Sequence, residues 1–318
     1  MNRKVKLLVF AGDFRNHLDT ATHYFLSELE KLTDLTVWHE SGEIHTILAR
    51  LEKPPDFIYH HEFGEKYSPI VTGLKSSGIP YAVQLHDLHH RISKRKEMLR
   101  EEKVKHIFTV YRDAFQHWYK NFRDHMYWLP HHVNSGVFKD YGLPKEYDYL
   151  VMGAMSRRTY PLRNTIVERM KDKPGFVHHQ HPGYRNIEDG EKGAFVREAY
   201  AKEINKAKVF LTGNSKYNYP LKKNFEVLAC NTLLLAPPSD ELTDLGFIPG
   251  VHYVPINEED FEEKAEYYVT HEKEREEIAR NGMNMVRERH STKRRVQEFV
   301  DIIDQIIAEE QGRRGSGP

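Results

Sequence analysis

One cysteine, Cys230, stands in a chain of 318 residues, which excludes an internal disulfide and the small disulfide-stapled scaffolds. Long apolar runs are also missing. The first, Val5 to Phe10, is far shorter than the roughly 20 residues a membrane-spanning helix needs. No signal or membrane segment is therefore expected, and the reading is of a soluble, cytoplasmic protein without membrane insertion. Net charge is absent as well: Lys+Arg and Asp+Glu are both 47, so nothing draws the chain over a distance to nucleic acid or anionic lipid, and only a local basic pocket stays open. Glycine is thin where a dinucleotide would need it. Phe10-Ala11-Gly12-Asp13-Phe14 follows the first β-rich run with one glycine in place of Gly-x-Gly-x-x-Gly, which disfavours a dehydrogenase or epimerase. Histidine is plentiful at 20 residues, yet many stand as neighbours, as in His60-His61, His89-His90, His131-His132 and His178-His179. Neighbours on a strand point to opposite faces and do not chelate together, so no metal site is expected.

What is present is an alternation of short β-rich runs with helical stretches. Val5 to Phe10, Leu35 to Trp38, Asp56 to His60, Tyr81 to Leu85, His106 to Val110 and Met126 to Leu129 predict strands of a doubly wound parallel sheet. Leu18, Ala21, Phe25, Leu29 and Leu32 predict a helix between the first two. Asn134 to Lys145 loses the pattern and gathers Gly and Pro, as a linker would. A second series follows at Tyr149 to Gly153, Gly175 to His179, Val209 to Thr212, Thr232 to Ala236 and Tyr253-Val254. Charged helices come next at Asp260 to Val269 and Glu272 to Arg289, then one capped by Ser291 or Thr292. Its stripe of Val296, Phe299, Val300, Ile303, Ile306 and Ile307 needs a partner surface. The expectation is an α/β chain of two Rossmann-like domains, 1–142 joined by the final helix 293–311, and 143–292, with a ligand cleft between them and a disordered tail over 312–318.

The most informative stretch runs from Tyr219 to Asn231. It places Lys222, Lys223 and Glu226 on the first turns of a short helix between two buried strands, with its N-terminus at the carboxyl edge of a parallel sheet. Lysines and free N–H groups there suit phosphate, and a carboxylate one turn further in suits sugar hydroxyls. Lys222 and Glu226, four apart, could equally form a surface ion pair.

At this point the chain resembles a family, the group 1 nucleotide-sugar glycosyltransferases of GT-B fold, especially their spore-maturation-type branch. The resemblance is densest from Tyr149 to Arg295. It rests on Met152-Gly153-Ala154 with Tyr160-Pro161-Leu162-Arg163, on Lys223 to Asn231, on Gly250-Val251-His252-Tyr253, and on His290-Ser291-Thr292 followed by Arg294 or Arg295. It implies that the final helix packs back on the first domain, and that the second half binds a nucleotide-diphosphate sugar, a UDP-sugar above all, with no other cofactor. It also implies transfer of a hexosyl or pentosyl group to an acceptor hydroxyl without a metal, the departing diphosphate being stabilised by basic side chains. The acceptor, whether glycan, protein, small molecule or modified DNA base, stays open, and so does a non-catalytic structural or binding relative.

Carried over residue by residue, Glu226 is expected on the ribose, and Lys223 with Arg157, Arg158 and Arg163 on the diphosphate. Retaining members of the family carry two glutamates with seven residues between them; Asn218 stands at the first position, so the charge that would help an oxocarbenium-like transition state is missing. Gly213 allows close approach to a diphosphate, and His181 or Tyr184 is expected to stack on the base, while Pro182-Gly183 reads equally as an ordinary turn. In the first half, His86 beside Asp87 is the candidate general base, unless Asp87 merely caps a helix. Asp13, with Gly12, His17 and Glu62 on the acceptor side, completes the candidates, all competing with plain loop polarity.

Overall fold

The computed structural model describes residues 3–315, and the chain divides into two compact units. The first contains the residues up to Asp13, Thr22–Pro130 and the stretch from Arg295 onward; the second contains Phe14–Ala21 and His131–Arg294.

In the first unit the order is β1 (Lys6–Phe10), α1 (Ala21–Leu32), β2 (Asp34–Trp38), β3 (Gly42–Glu43), α2 (Ile44–Leu48), β4 (Phe57–His60), β5 (Val71–Thr72), β6 (Tyr81–Leu85), α3 (Ile92–Glu101), β7 (Ile107–Thr109), α4 (Arg112–Trp118) and β8 (Met126–Trp128). Six of these strands pair in parallel in the order β2-β1-β4-β6-β7-β8. Leu7, Leu8, Val9 and Phe10 are all buried, the continuous apolar run of a strand covered on both faces. β3 and β5 form a small sheet of their own; at two residues each they carry no alternation that a sequence could display.

The second unit contains β9 (Tyr147–Met152), α5 (Pro161–Met170), β10 (Phe176–His179), α6 (Arg197–Asn205), β11 (Ala207–Leu211), α7 (Lys222–Ala229), β12 (Leu233–Ala236), α8 (Asp240–Asp244), β13 (Val254–Pro255), α9 (Phe261–Thr270) and α10 (Glu272–Arg289). Its five strands are parallel, in the order β10-β9-β11-β12-β13.

Three segments differ from their sequence reading. Asn134 to Lys145 is strapped to the second unit: the Asn205 amide donates to the Lys139 carbonyl at 2.9 Å and accepts from the Tyr141 N–H at 2.8 Å, while the Lys145 ammonium donates to the Asn205 carbonyl at 2.8 Å. Leu18 is no part of α1. Its N–H donates to the Arg185 carbonyl at 2.9 Å and its side chain packs on Ile187, Ala194 and Val196. The last helix, α11 (Thr292–Gly315), runs past 311 into the expected tail, where Arg313 donates to Glu310 one turn back at 2.8 Å. Residues 316–318 of that tail lie outside the described residues.

The apolar stripe of α11 finds its surface in the first unit. Val296, Phe299, Val300, Ile303 and Ile306 are buried with Leu7, Val9, Phe25, Tyr59 and Phe108. Phe299 sits at the centre, its ring 4.7 Å from Tyr59, 5.1 Å from Phe108 and 5.4 Å from Phe25. Phe299→Ala is therefore expected to destabilise the protein by about 3–5 kcal/mol, read from urea or thermal unfolding. An unchanged midpoint would show that α11 does not contribute to this core.

Candidate functional site

In the second sheet the chain runs from β9 to β10 on one side and returns to β11 on the other, so the loops leaving β9 and β11 diverge at a topological switch point. Arg163, in the first turn of α5, joins those loops. It is 2% exposed, and its guanidinium donates to the Ala154 carbonyl at 2.8 Å, the Thr212 hydroxyl at 3.1 Å and the Gly213 carbonyl at 3.3 Å. Tyr160 lies flat beneath the charge, 4.2 Å from ring centre to guanidinium. Two glycines make the approach possible. A Cβ on Gly153, at φ +131, would meet Arg163 Nη1 at 3.0 Å and Lys223 Cε at 3.1 Å; one on Gly213 would meet the Arg163 backbone nitrogen at 2.8 Å.

α7 opens beside this junction, and Lys223 and Glu226 meet a third side chain there. The Lys223 ammonium donates to the Tyr200 hydroxyl of α6 at 2.9 Å and lies 5.3 Å from the centre of that ring. The Glu226 carboxylate lies near enough to the same hydroxyl for the two to act on each other electrostatically. Loss of solvent lowers the Lys223 pKa to about 8; Arg163 and Lys222 push the same way, and Glu226 opposes them. Burial also raises the Glu226 pKa, against the pull of Lys222 and Lys223. Lys222 forms its ion pair with Asp19, so the surface pair between Lys222 and Glu226 that the spacing allowed is not the arrangement adopted, although its charge still acts on that carboxylate.

His181 completes the set. Burial, with Lys223 and Arg163 adding to it, lowers its pKa to about 4, which makes it a neutral ring at physiological pH. It stacks obliquely on Tyr184 at 4.9 Å, and Tyr184 is 60% exposed. Arg163, Gly213, Lys223, Glu226, His181 and Tyr184 are thus brought together. Arg157 and Arg158 are not: both are exposed, and Arg157 is ion-paired with Glu168. Asn218 is exposed, with φ +56, a left-handed conformation that asparagine adopts far more readily than glutamate. The asparagine therefore has a backbone reason as well as a chemical consequence.

The first unit presents its own carboxyl edge. Gly12 and exposed Asp13 follow β1, Glu62 follows β4, and His86 and Asp87 follow β6. His86 Nδ1 is 3.7 Å from Asp87 Oδ1, and its ring is 5.3 Å from that of Tyr111. Glu62, Asp87 and Arg91 all have positive φ, at 51, 39 and 46 degrees, so strained backbone gathers along this edge. Arg95 of α3, 1% exposed, holds it by donating to the carbonyls of His86 at 2.7 Å and Asp87 at 3.1 Å while ion-paired with Glu65. His17 lies elsewhere: it belongs to the second unit, paired across a bridge with Asn186, its Nδ1 accepting from the Asp19 N–H at 3.2 Å.

Sequence reasoning missed Tyr200, Arg95 and Asp19. Tyr200 shares a helix with buried Ala201 and Ile204, a signal of packing that does not say which residue its hydroxyl reaches. Among the described residues no group of three or more His, Cys, Asp or Glu is placed to hold a metal ion, and no helix is long and apolar enough to cross a membrane.

The Arg163 junction carries a direct prediction. Arg163→Met would leave two loop carbonyls and a buried hydroxyl without their donor, a cost of about 1–3 kcal/mol for each group left unpaired in the interior. Hydrogen exchange of the Gly153-Ala154 and Thr212-Gly213 amides is expected to quicken. Unchanged exchange there would contradict the role given to Arg163.

Residues 157–301 match a family model described as glycosyl transferase-like. No curated protein sequence matches the chain. Among solved structures, HepE from Anabaena, in complex with UDP-glucose, aligns with a TM-score of 0.66 at 9% identity, covering 95% of this chain and 100% of its own. A glycosyltransferase from Rickettsia africae aligns at 0.60 and 11% identity, covering 96% and 99%; sucrose-phosphate synthase from Thermosynechococcus elongatus aligns at 0.60 and 14%, covering 84% and 77%. At such identities the likeness establishes the GT-B fold, and residues 157–301 are similar to the glycosyl transferase-like family.

Proposed function

We propose that the chain transfers a sugar from a nucleotide-diphosphate donor, a UDP-sugar first among the candidates, to an acceptor hydroxyl, without a metal. The observation that carries this reading is the arrangement at the second switch point. Lys223 and the opening of α7 offer positive charge where a diphosphate would lie, and Glu226 offers an acceptor for ribose hydroxyls one turn on. Arg163 adds fixed positive potential from behind while its guanidinium is engaged with the protein. A leaving UDP gains negative charge as the glycosyl bond breaks, and preorganised cations stabilise it there. His181 and Tyr184 supply a neutral aromatic surface suited to a base. In the first unit, His86 is the proposed general base toward the acceptor, oriented by Asp87, with Asp13 and Glu62 as further acceptor-side groups. UDP-glucose in the HepE complex supports uridine as the base. A soluble, cytoplasmic setting is part of the same proposal.

Asn218 favours a second reading, a non-catalytic relative that binds nucleotide without turning it over. The two are separated by incubating the protein with UDP-, GDP- and ADP-sugars and measuring both binding and slow donor hydrolysis. Binding with hydrolysis supports transfer, binding alone supports the second reading, and neither would defeat both.

Lys223→Ala is expected to weaken UDP binding about 10- to 100-fold, as befits loss of a charge-assisted hydrogen bond of roughly 1.5–3 kcal/mol. The pH dependence has a definite sign. The ammonium is the binding form and its pKa is lowered to about 8, so UDP affinity should fall as pH rises through that value, and Lys223→Ala should flatten the profile. A UDP affinity independent of pH between 7 and about 9.5 would argue against Lys223 as the diphosphate ligand.

A further inference from the structure

Lys223 and Glu226 stand three residues apart on one helix face, the spacing at which a lysine and a glutamate pair directly. They do not do so here: the Lys223 ammonium donates to the Tyr200 hydroxyl at 2.9 Å and forms no ion pair with the Glu226 carboxylate, which lies within electrostatic reach of that hydroxyl. A phenol is suited to this position because its oxygen accepts from a cation while its proton goes to an anion. The ring is fixed by its own packing, edge-on to Phe138 at 5.9 Å, in the first turn of a helix otherwise turned inward at Ala201 and Ile204. The other charged and titratable groups coupled to the trio are Lys222, Arg163, Asp19, Cys230 and the neutral His181. Of these, Lys222 is engaged with Asp19 and Arg163 with loop oxygens, which leaves Tyr200 as the group able to keep Lys223 from Glu226.

We propose that Tyr200 is a positioning residue that keeps Lys223 and Glu226 apart as two separate recognition groups, a cation for the diphosphate and an anion for the ribose. The inference rests on the nucleotide-sugar reading for its purpose, but the separation itself is a property of the ligand-free protein. Without the hydroxyl the two side chains would close on each other, and each would be lost to the nucleotide. Tyr200 is thus set apart from Lys223: removing the lysine affects the diphosphate alone, whereas removing the hydroxyl affects both halves of the ligand.

The test uses the full chain, wild type and Tyr200→Phe, with two measurements. The first follows the Lys223 ammonium by NMR in ligand-free, lysine-labelled protein, assigned with Lys223→Arg. A direct carboxylate partner would move its titration upward in Tyr200→Phe; an unchanged or lower midpoint would overturn the proposal, whatever the protein binds. The second compares affinities for UDP and uridine. Tyr200→Phe should weaken both by about tenfold, the equivalent of a hydrogen bond to a charged group, whereas Lys223→Ala should weaken UDP alone. Loss of UDP affinity with uridine unchanged in Tyr200→Phe would also overturn it. If the wild type binds neither ligand while the Lys223 midpoint still rises in Tyr200→Phe, the separation stands and the nucleotide reading falls.

Discussion

The second unit depends on one buried cation. Arg163 cannot shed its charge at any ordinary pH, so a guanidinium placed out of solvent must be met by oxygens, and the oxygens within reach are those of the two loops that part at the switch point. The consequence runs outward from there. Gly153 and Gly213 are glycines because a side chain at either would strike the arginine or its helix. Lys223 is driven to a low pKa by burial and partly by the same charge, and His181 is held neutral by burial, with Lys223 and this charge adding to it. Positive charge is thus fixed at this junction before any ligand arrives.

The first unit uses a comparable device with different contents. Arg95 is buried to the same degree and again binds loop carbonyls, those of His86 and Asp87, at the carboxyl edge of its own sheet. In both units, then, an arginine from the helix after a strand fixes the backbone on which candidate polar side chains stand. The edges differ in charge: Lys223 and Arg163 dominate one, while Asp13, Glu62 and Asp87 stand along the other. Anions are drawn to the first kind of edge, and neutral, hydroxyl-bearing groups are compatible with the second.

Much of this was legible in the sequence, and the limits have physical causes. The strands at Tyr81 to Leu85 and the helix at Glu272 to Arg289 end where their residue patterns end, because buried parallel strands and long amphipathic helices write their period over many positions. The stripe from Val296 to Ile306 announced a partner surface, which Phe25, Tyr59 and Phe108 provide. Leu18 misled for the same reason: it continues the helical spacing of Ala21 and Phe25, yet its backbone N–H is taken by Arg185, a long-range choice that no local period encodes. Glu226 and Lys223 were visible as charges at a helix start. Their mediator was not, since Tyr200 is distant in sequence and reads as one more aromatic in an apolar face. Arg157 and Arg163 looked alike on paper; burial separates them, because Arg157 stands exposed in the loop before α5 and Arg163 is buried in that helix's first turn.

The central claim is that the loops after β9 and β11 bind a nucleoside diphosphate. Crystals soaked with UDP test it most directly. The account predicts the diphosphate against the Gly213 backbone and the Lys223 ammonium, with ribose hydroxyls on Glu226. A nucleotide bound elsewhere, or bound here with Lys223 and Glu226 making no contact to it, would contradict the account.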